Sequence, residues 1–177
     1  LPGENTAGLS GQEIGRLPLE TCQTMNGMWG YKITDLDYKP ARTLIRYLVR
    51  AAGRNGNLLL NIGPQPDGKL PAKAVERLRE MGEWLARYGK SIYGTRGGDI
   101  PPHDWGVTTR KDDKLYVHVL DLQDDALYLP LAEKVGSARC LNNGERVKFD
   151  ALWGKGIVLH LQDIPQDTDR IIELTIR

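Results

Sequence analysis

The sequence predicts an α/β unit followed by a small all-β unit. Apolar residues recur every three or four positions from Leu44 to Ala52, which is the spacing of an amphipathic helix. The short apolar run Leu58–Leu60 follows between turn residues, as expected of a parallel strand buried on both faces. After residue 104 the pattern changes to the alternation of half-buried strands. This order favours a parallel sheet or barrel and then an antiparallel sandwich.

Proline and glycine residues mark the predicted ends of the helices in the first half of the chain. Residues Leu1–Leu19 are rich in Gly, Pro, Ser and Asn and predict a loop. Pro40 suits the start of the first helix and Gly53 its end. Pro71 opens a second helix, which should stop at Gly89. The first half therefore predicts helix, strand and helix in succession.

A connector rich in Gly and Pro, residues 94–104, divides the chain. We expect one domain at 1–96 and a second at 97–177. In Lys114–Leu120 apolar and polar residues alternate, which predicts a strand, and Asn143-Gly144 predicts a hairpin turn. Further strands are predicted at Ala126–Leu131, Ala138–Leu141, Val147–Ala151, Gly156–Leu161 and Arg170–Ile176.

Composition excludes several classes of function. The 24 Lys and Arg nearly balance the 23 Asp and Glu, so no nucleic-acid partner is expected. The longest apolar runs fall far short of the roughly 20 residues of a membrane-spanning helix. The 2 Cys and 3 His show no zinc-ligand spacing, and the sequence predicts neither a metal centre nor a cofactor. The chain opens on Leu1 without a signal pattern, which predicts a piece of a longer protein.

The densest group of unusual residues is Glu20–Tyr31, which mixes a carboxylate, amides, hydroxyls and aromatic rings beside glycines. Such a mixture suits a site for a small polar molecule, since polar groups orient a ligand while an aromatic face packs its apolar side. The alternative is that Trp29 and Tyr31 pack in a core and that Glu20 is solvated.

Polar residues also bracket the predicted parallel strand. Asn57 and Asn61 stand at its two ends, and the carboxyl ends of barrel strands often line an active site. Turn capping is the alternative for Asn61. Glu4 and Glu13 lie in the opening loop and could supply an acid/base carboxylate, although surface glutamates are common.

Three blocks in order resemble one family, the α-L-fucosidases of glycoside hydrolase family 29. The blocks are Glu20–Tyr31, then Gly56–Pro64 with Asp67-Gly68, then Gly82–Leu85 with Ser91–Arg96. The resemblance is strong over residues 20–96 and weaker over the β-rich remainder. Leu19 stands where relatives usually have Trp.

This resemblance implies the C-terminal strands and helices of a (β/α) barrel followed by a small antiparallel β-sandwich. It further implies a retaining exo-α-L-fucosidase that works through a covalent fucosyl intermediate. The family's nucleophilic Asp has no match here and is expected upstream of Leu1, so the isolated chain should be inactive. Glu4 is the first acid/base candidate and Glu13 the second, while another alignment puts Gly11 at that position.

The resemblance also assigns binding and partner expectations. Trp29 should pack against the apolar side of fucose near its C5 methyl group, a burial that contributes on the order of 1 kcal/mol. Glu20 and Asn61 should support the barrel mouth. The expected substrate is a fucosylated oligosaccharide or glycoconjugate. The expected protein partner is the remaining N-terminal barrel portion, a homo-oligomer is left open, and the expected location is periplasmic or secreted.

Two rival hypotheses remain at this point. The β-rich half could be a carbohydrate-binding module without catalysis, which requires exposed aromatic residues on one sheet face. The candidates for that face are Trp105, Tyr116, Tyr128 and Trp153, for which core packing is the alternative. The Gly11 alignment instead suggests a family member that has lost its activity.

Overall fold

The chain alternates strand and helix up to residue 91 and continues as strands thereafter. The computed structural model describes residues 14, 19–152 and 154–177. Its helices are α1 (Ala41–Ala52) and α2 (Ala72–Tyr88), and a short 3-10 turn at Gly89–Ser91 follows α2. Its strands are β1 (Leu19–Thr24), β2 (Gly56–Asn61), β3 (Arg96–Gly97), β4 (Gly106–Lys111), β5 (Lys114–Val119), β6 (Ala126–Leu129), β7 (Val135–Cys140), β8 (Phe149–Leu152), β9 (Gly156–His160) and β10 (Arg170–Ile176).

β1 and β2 form a two-stranded parallel sheet, which begins with Leu19 opposite Gly56. Parallel neighbours require a crossover connection, and α1 lies within it. Side chains alternate across a sheet, so every second pair of residues shares a face. One face carries three such pairs, namely Glu20 with Asn57, Cys22 with Leu59 and Thr24 with Asn61. Leu59 is exposed on this face.

Both helices follow a proline and end at a glycine. Pro40 and Pro71 hold extended backbone immediately before α1 and α2, and Gly53 and Gly89 cap their carboxyl ends. Each helix buries one apolar stripe, as an amphipathic helix at a surface should. The buried residues are Leu44, Ile45, Val49 and Ala51 in α1 and Ala74, Met81 and Trp84 in α2.

The second half folds into two antiparallel sheets. The larger has the strand order β3-β4-β5-β10-β7 and the smaller the order β6-β9-β8. Leu115 and Leu174 from the larger sheet share one hydrophobic core with Leu127 and Leu159 from the smaller. The two sheets are therefore held together by a common apolar layer.

A second core joins the helices to the other face of the five-stranded sheet. It contains Ile45 and Val49 of α1 together with Val107 of β4 and Tyr116 of β5. α1 ends so near β4 that a Cβ atom on Gly53 would overlap the Val107 side chain. The larger sheet is consequently buried on both faces where the helices cover it.

Most predicted elements are present, with ends shifted by a few residues. Both helices and the parallel pairing of β2 are confirmed. The patterns do not reveal β1, β3 or β4, because β1 buries polar side chains, β3 is very short and β4 buries Thr108 and Thr109. The expected domain division at 96/97 falls inside β3, which pairs with β4.

Candidate active site at the carboxyl ends of the parallel strands

The carboxyl ends of β1 and β2 place Thr24 and Asn61 side by side. The loop that follows β1 begins here, and Met25 N donates to Asn61 O at 3.1 Å. Ligand sites of parallel sheets lie beyond this edge, because the connecting loops converge there. The edge also holds residues of the polar and aromatic block singled out in the sequence, so it is the candidate site.

Asn61 fixes the backbone of the tryptophan predicted to bind substrate. Its Nδ2 donates to Trp29 O at 2.7 Å and lies 3.4 Å from Thr24 Oγ1. The Thr24 hydroxyl in turn donates to Met28 O at 2.8 Å. The last residues of two strands thus hold successive carbonyls of one loop, and the position of the Trp29 main chain is set by the sheet.

Lys39 binds the beginning of the same loop through hydrogen bonds to its carbonyl groups. Its Nζ donates to Thr24 O at 2.8 Å and to Asn26 O at 2.9 Å, while its backbone N donates to Met25 O at 2.9 Å. Burial lowers the pKa of Lys39, and the nearby carboxylates of Asp37 and Asp35 act in the opposite direction. The ammonium group acts as a clamp on two carbonyls. Lys39 cannot be recognised from the sequence, since a lone lysine in a loop belongs to no pattern.

Close backbone contacts complete the loop. Asp35 Oδ2 accepts a hydrogen bond of 3.0 Å from Gly27 N. Gly63, just after β2, touches the loop so closely that a Cβ atom there would lie 2.5 Å from Gly30 C and nearer still to Tyr31 N. A side chain at position 63 would therefore push the 30–31 backbone away from the strand.

The Trp29 side chain remains accessible at this edge. It is 37% exposed, and the neighbouring Met28 is exposed as well. An anchored main chain with an accessible indole ring provides an apolar surface at a defined place, which is the kind of group that packs against the apolar side of a sugar ring. The alternative expectation of complete core packing does not hold for Trp29.

Of the glutamates predicted from the sequence, Glu20 lies within the described residues, and it lies away from Trp29. Glu20 is exposed and pairs with Asn57 at the amino-terminal end of the sheet, about 13 Å along the strand from Thr24. It shares a sheet face with Asn61 but lies at the opposite end of it. Glu4 and Glu13, like Gly11, lie outside the described residues.

A second group of chemically capable side chains is fully buried. His118 Nε2 lies 3.1 Å from Thr109 Oγ1, and His118 Nδ1 lies 2.6 Å from Asp169 Oδ2. This row resembles the hydroxyl, imidazole and carboxylate of many hydrolases. However, all three side chains are 0% exposed, and the Thr109 hydroxyl already donates to Ser91 O at 2.6 Å. The row joins the turn after α2 to the large sheet and cannot reach a substrate.

The aromatic face required by the binding-module hypothesis is incomplete. Tyr116 is buried at 4% exposure, which corrects its candidacy as an exposed sugar platform. Trp105 is half-buried and stacks on His103, whereas Tyr128 is exposed. The side chain of Trp153 lies outside the described residues. Strand alternation divides these residues between the apolar cores and the solvent.

Three further properties bear on the class of site. Within residues 14, 19–152 and 154–177, no group of three or more His, Cys, Asp or Glu is arranged to hold a metal ion. No helix in this part of the chain has the length and apolarity needed to cross a membrane. Cys22 and Cys140 are both free thiols.

Comparisons with known proteins agree with this geometry. A protein-family model described as alpha-L-fucosidase matches residues 6–90. An alpha-L-fucosidase of Dictyostelium discoideum is 33% identical over 147 residues, which cover 80% of this chain and 31% of that protein. The chain thus spans about a third of the length of the curated relatives it matches.

Solved structures give the same result. Alpha-L-fucosidase isoenzyme 1 from Paenibacillus thiaminolyticus is 36% identical with a TM-score of 0.81, covering 91% of this chain and 40% of that one. A GH29 alpha-L-fucosidase of Bacteroides thetaiotaomicron, trapped as a covalent intermediate with 2-fluoro-fucosyl fluoride, is 26% identical with a TM-score of 0.79, covering 90% and 38%. The match falls on the C-terminal part of the relatives, and the chain belongs to the α-L-fucosidases of glycoside hydrolase family 29.

Proposed function

We propose that this chain is part of a retaining exo-α-L-fucosidase, which releases terminal α-L-fucose from fucosylated oligosaccharides or glycoconjugates. The observation that carries the proposal is the accessible Trp29 ring, whose main chain is bound by Asn61 at the shared carboxyl edge of two parallel strands. The curated and structural relatives of the chain are named alpha-L-fucosidases, which supports this activity. We also propose that the protein is periplasmic or secreted, because a substrate on extracellular glycans would be met there.

The architecture we propose for the parent protein is a (β/α) barrel followed by a β-sandwich. β1 and β2 would be its C-terminal barrel strands, within residues 1–96. Their open face, with Leu59 exposed, would be covered by the remaining N-terminal barrel portion. The two antiparallel sheets of residues 97–177 would form the sandwich.

The proposed chemistry is a double displacement. In the first step an Asp carboxylate, supplied by the remaining barrel portion, attacks the anomeric carbon of fucose while a carboxylic acid protonates the departing oxygen. In the second step the same acid/base group, now a carboxylate, takes a proton from the water that attacks the fucosyl ester. Glu4 is our first candidate for the acid/base and Glu13 the second. The Asp leaves as a free carboxylate and the configuration is retained.

We assign Trp29 to the apolar side of fucose, at the C5 methyl group. Burying one methyl group contributes about 1 kcal/mol, which corresponds to roughly a fivefold change in affinity. Asn61 would act on substrate through Trp29, because its side-chain amide holds the Trp29 carbonyl. Asn61 is thus a positioning residue in this proposal.

The 177-residue chain alone should not hydrolyse an aryl α-L-fucoside, whereas the complete parent polypeptide should do so with retention of configuration. The reason is that one of the two required carboxylates is expected outside this chain. The measurement is release of the aryl alcohol by both proteins, with NMR of the first-formed sugar anomer. Turnover by the 177-residue chain above the buffer rate would overturn the placement of the nucleophile.

Replacing Trp29 with Ala in the parent enzyme should raise KM for the aryl fucoside about fivefold or more, since the apolar surface for the methyl group is lost. The Asn61 hydrogen bond goes to the backbone carbonyl and survives the substitution. Tyr93→Ala is the matched control, because Tyr93 is an aromatic residue with 61% exposure in the segment after α2. Equal kinetics for the Trp29 variant and the wild type would refute the binding role.

A further inference from the structure

Two arginines face each other at the edge of the five-stranded sheet. Arg139 of β7 forms an antiparallel bridge with Arg146. Backbone hydrogen bonds flank the bridge on both sides, one of them from Cys140 N to Glu145 O at 2.8 Å. The two arginines are therefore a non-hydrogen-bonded pair, whose Cα atoms lie about 4.5 Å apart and whose side chains are at the closest cross-strand spacing.

Nearby carboxylates do not neutralise this pair. Among the residues that the structure describes, neither guanidinium has an acidic group within ion-pair distance. Glu173 lies opposite Arg139 on β10, but its carboxylate pairs with Lys90 Nζ at 2.6 Å. Like charges placed directly opposite one another destabilise a sheet. A bound anion between the arginines would turn this repulsion into attraction.

The space beside the pair suits a small ring-shaped ligand. Both arginines line a groove of about 470 Å³ together with Ser137, Phe149 and Glu173. Phe149 is half-buried and offers an aromatic surface within the same groove. The Arg177 side chain lies close to Gly136, which also lines the groove. Positive charge and an aromatic surface thus occur together.

We propose that this groove binds an acidic saccharide, whose carboxylate or sulfate group lies between Arg139 and Arg146 and whose ring packs against Phe149. Guanidinium groups bind oxyanions through paired, charge-assisted hydrogen bonds. An aromatic side chain supplies the apolar contact that a sugar ring needs and a free inorganic anion does not. The site is built by β7, β8, β10 and the segment before β8 that carries Arg146, and it does not depend on the fucosidase proposal.

Calorimetric titration of the full 177-residue chain at constant ionic strength tests the site. The probes are sodium glucuronate, glucose 6-sulfate, inorganic sulfate and glucose. We expect at least one of the two sugar anions to bind, to bind more tightly than inorganic sulfate, and to raise the melting temperature by mass action. Glucose should not bind. The preferred sugar anion identifies whether the anionic group is a carboxylate or a sulfate.

Arg139→Gln and Arg146→Gln should each weaken that binding at least tenfold, because each removes a charged donor. Arg79→Gln, an exposed arginine on α2, is the matched control and should bind as the wild type does. Both groove variants should fold, since they remove exposed, mutually repelling charges. Absence of sugar-anion binding, or an equal loss in the Arg79 variant, would overturn the proposal. Inorganic sulfate binding as tightly as glucose 6-sulfate would overturn the saccharide assignment.

Discussion

Replacing Asp169 with Ala should lower the free energy of unfolding by about 1–3 kcal/mol. The Asp169 carboxylate lies 2.6 Å from His118 Nδ1, and both side chains are 0% exposed. The substitution leaves a buried ring nitrogen without its partner, in a place where water does not replace the lost hydrogen bond. Urea unfolding of the chain, followed by far-ultraviolet circular dichroism, gives the difference.

The chain contains a matched control for this experiment. His160 Nε2 lies 2.8 Å from Asp150 Oδ2, but the Asp150 side chain is 72% exposed. Asp150→Ala should therefore cost less than about 1 kcal/mol, because water replaces the lost partner in an exposed hydrogen-bonded pair. Equal losses for the two variants would show that burial of the His118 and Asp169 pair does not strengthen it. Unchanged urea m-values would confirm that stability alone has changed.

Replacing Gly63 with Ala should displace the loop that carries Trp29. The new Cβ atom would lie 2.5 Å from Gly30 C, and backbone atoms cannot move aside independently of the loop. The displacement should break the 2.7 Å hydrogen bond from Asn61 Nδ2 to Trp29 O. In the complete enzyme proposed above we expect kcat/KM to fall by about fivefold, as after loss of the Trp29 ring, because the displaced ring no longer buries the methyl group of fucose.

Two readouts separate the structural part of this prediction from the catalytic part. The side-chain amide signals of Asn61, measured by NMR in the 177-residue chain, should shift when the bond to Trp29 O is lost. Gly30→Ala is the control, because a Cβ atom at position 30 meets no atom within 4 Å. Unmoved Asn61 signals in the Gly63 variant would contradict the displacement. Moved signals with full activity would instead contradict the role of Trp29.

Local patterns were sufficient for much of the fold. The helices α1 and α2 are predictable, because each has apolar residues at helical spacing between a proline and a glycine. β2 is recognisable as an apolar run between turn residues. β1 gives no such signal, since Thr21, Gln23 and Thr24 are buried polar residues. Apolar periodicity detects burial only where burial and apolar character coincide.

The candidate site was only partly accessible to the same reasoning. The block Glu20–Tyr31 was recognisable because its residue types suit a polar ligand. The sequence did not predict at which end of the sheet Glu20 lies. That position depends on the direction and register of β1 beside β2. The clamp made by Lys39 depends on a loop that returns to its own beginning.

The sequence by itself determined the helices α1 and α2, the parallel strand β2 and the resemblance to the fucosidase family, because each depends on residues that lie close together in the chain. Tertiary structure decided which distant groups meet. Asn61 reaches the Trp29 carbonyl, and His118 reaches Asp169 across 51 positions. A hydrogen bond between residues far apart in the sequence depends on how the chain folds. It produces no repeating pattern from which it could be predicted.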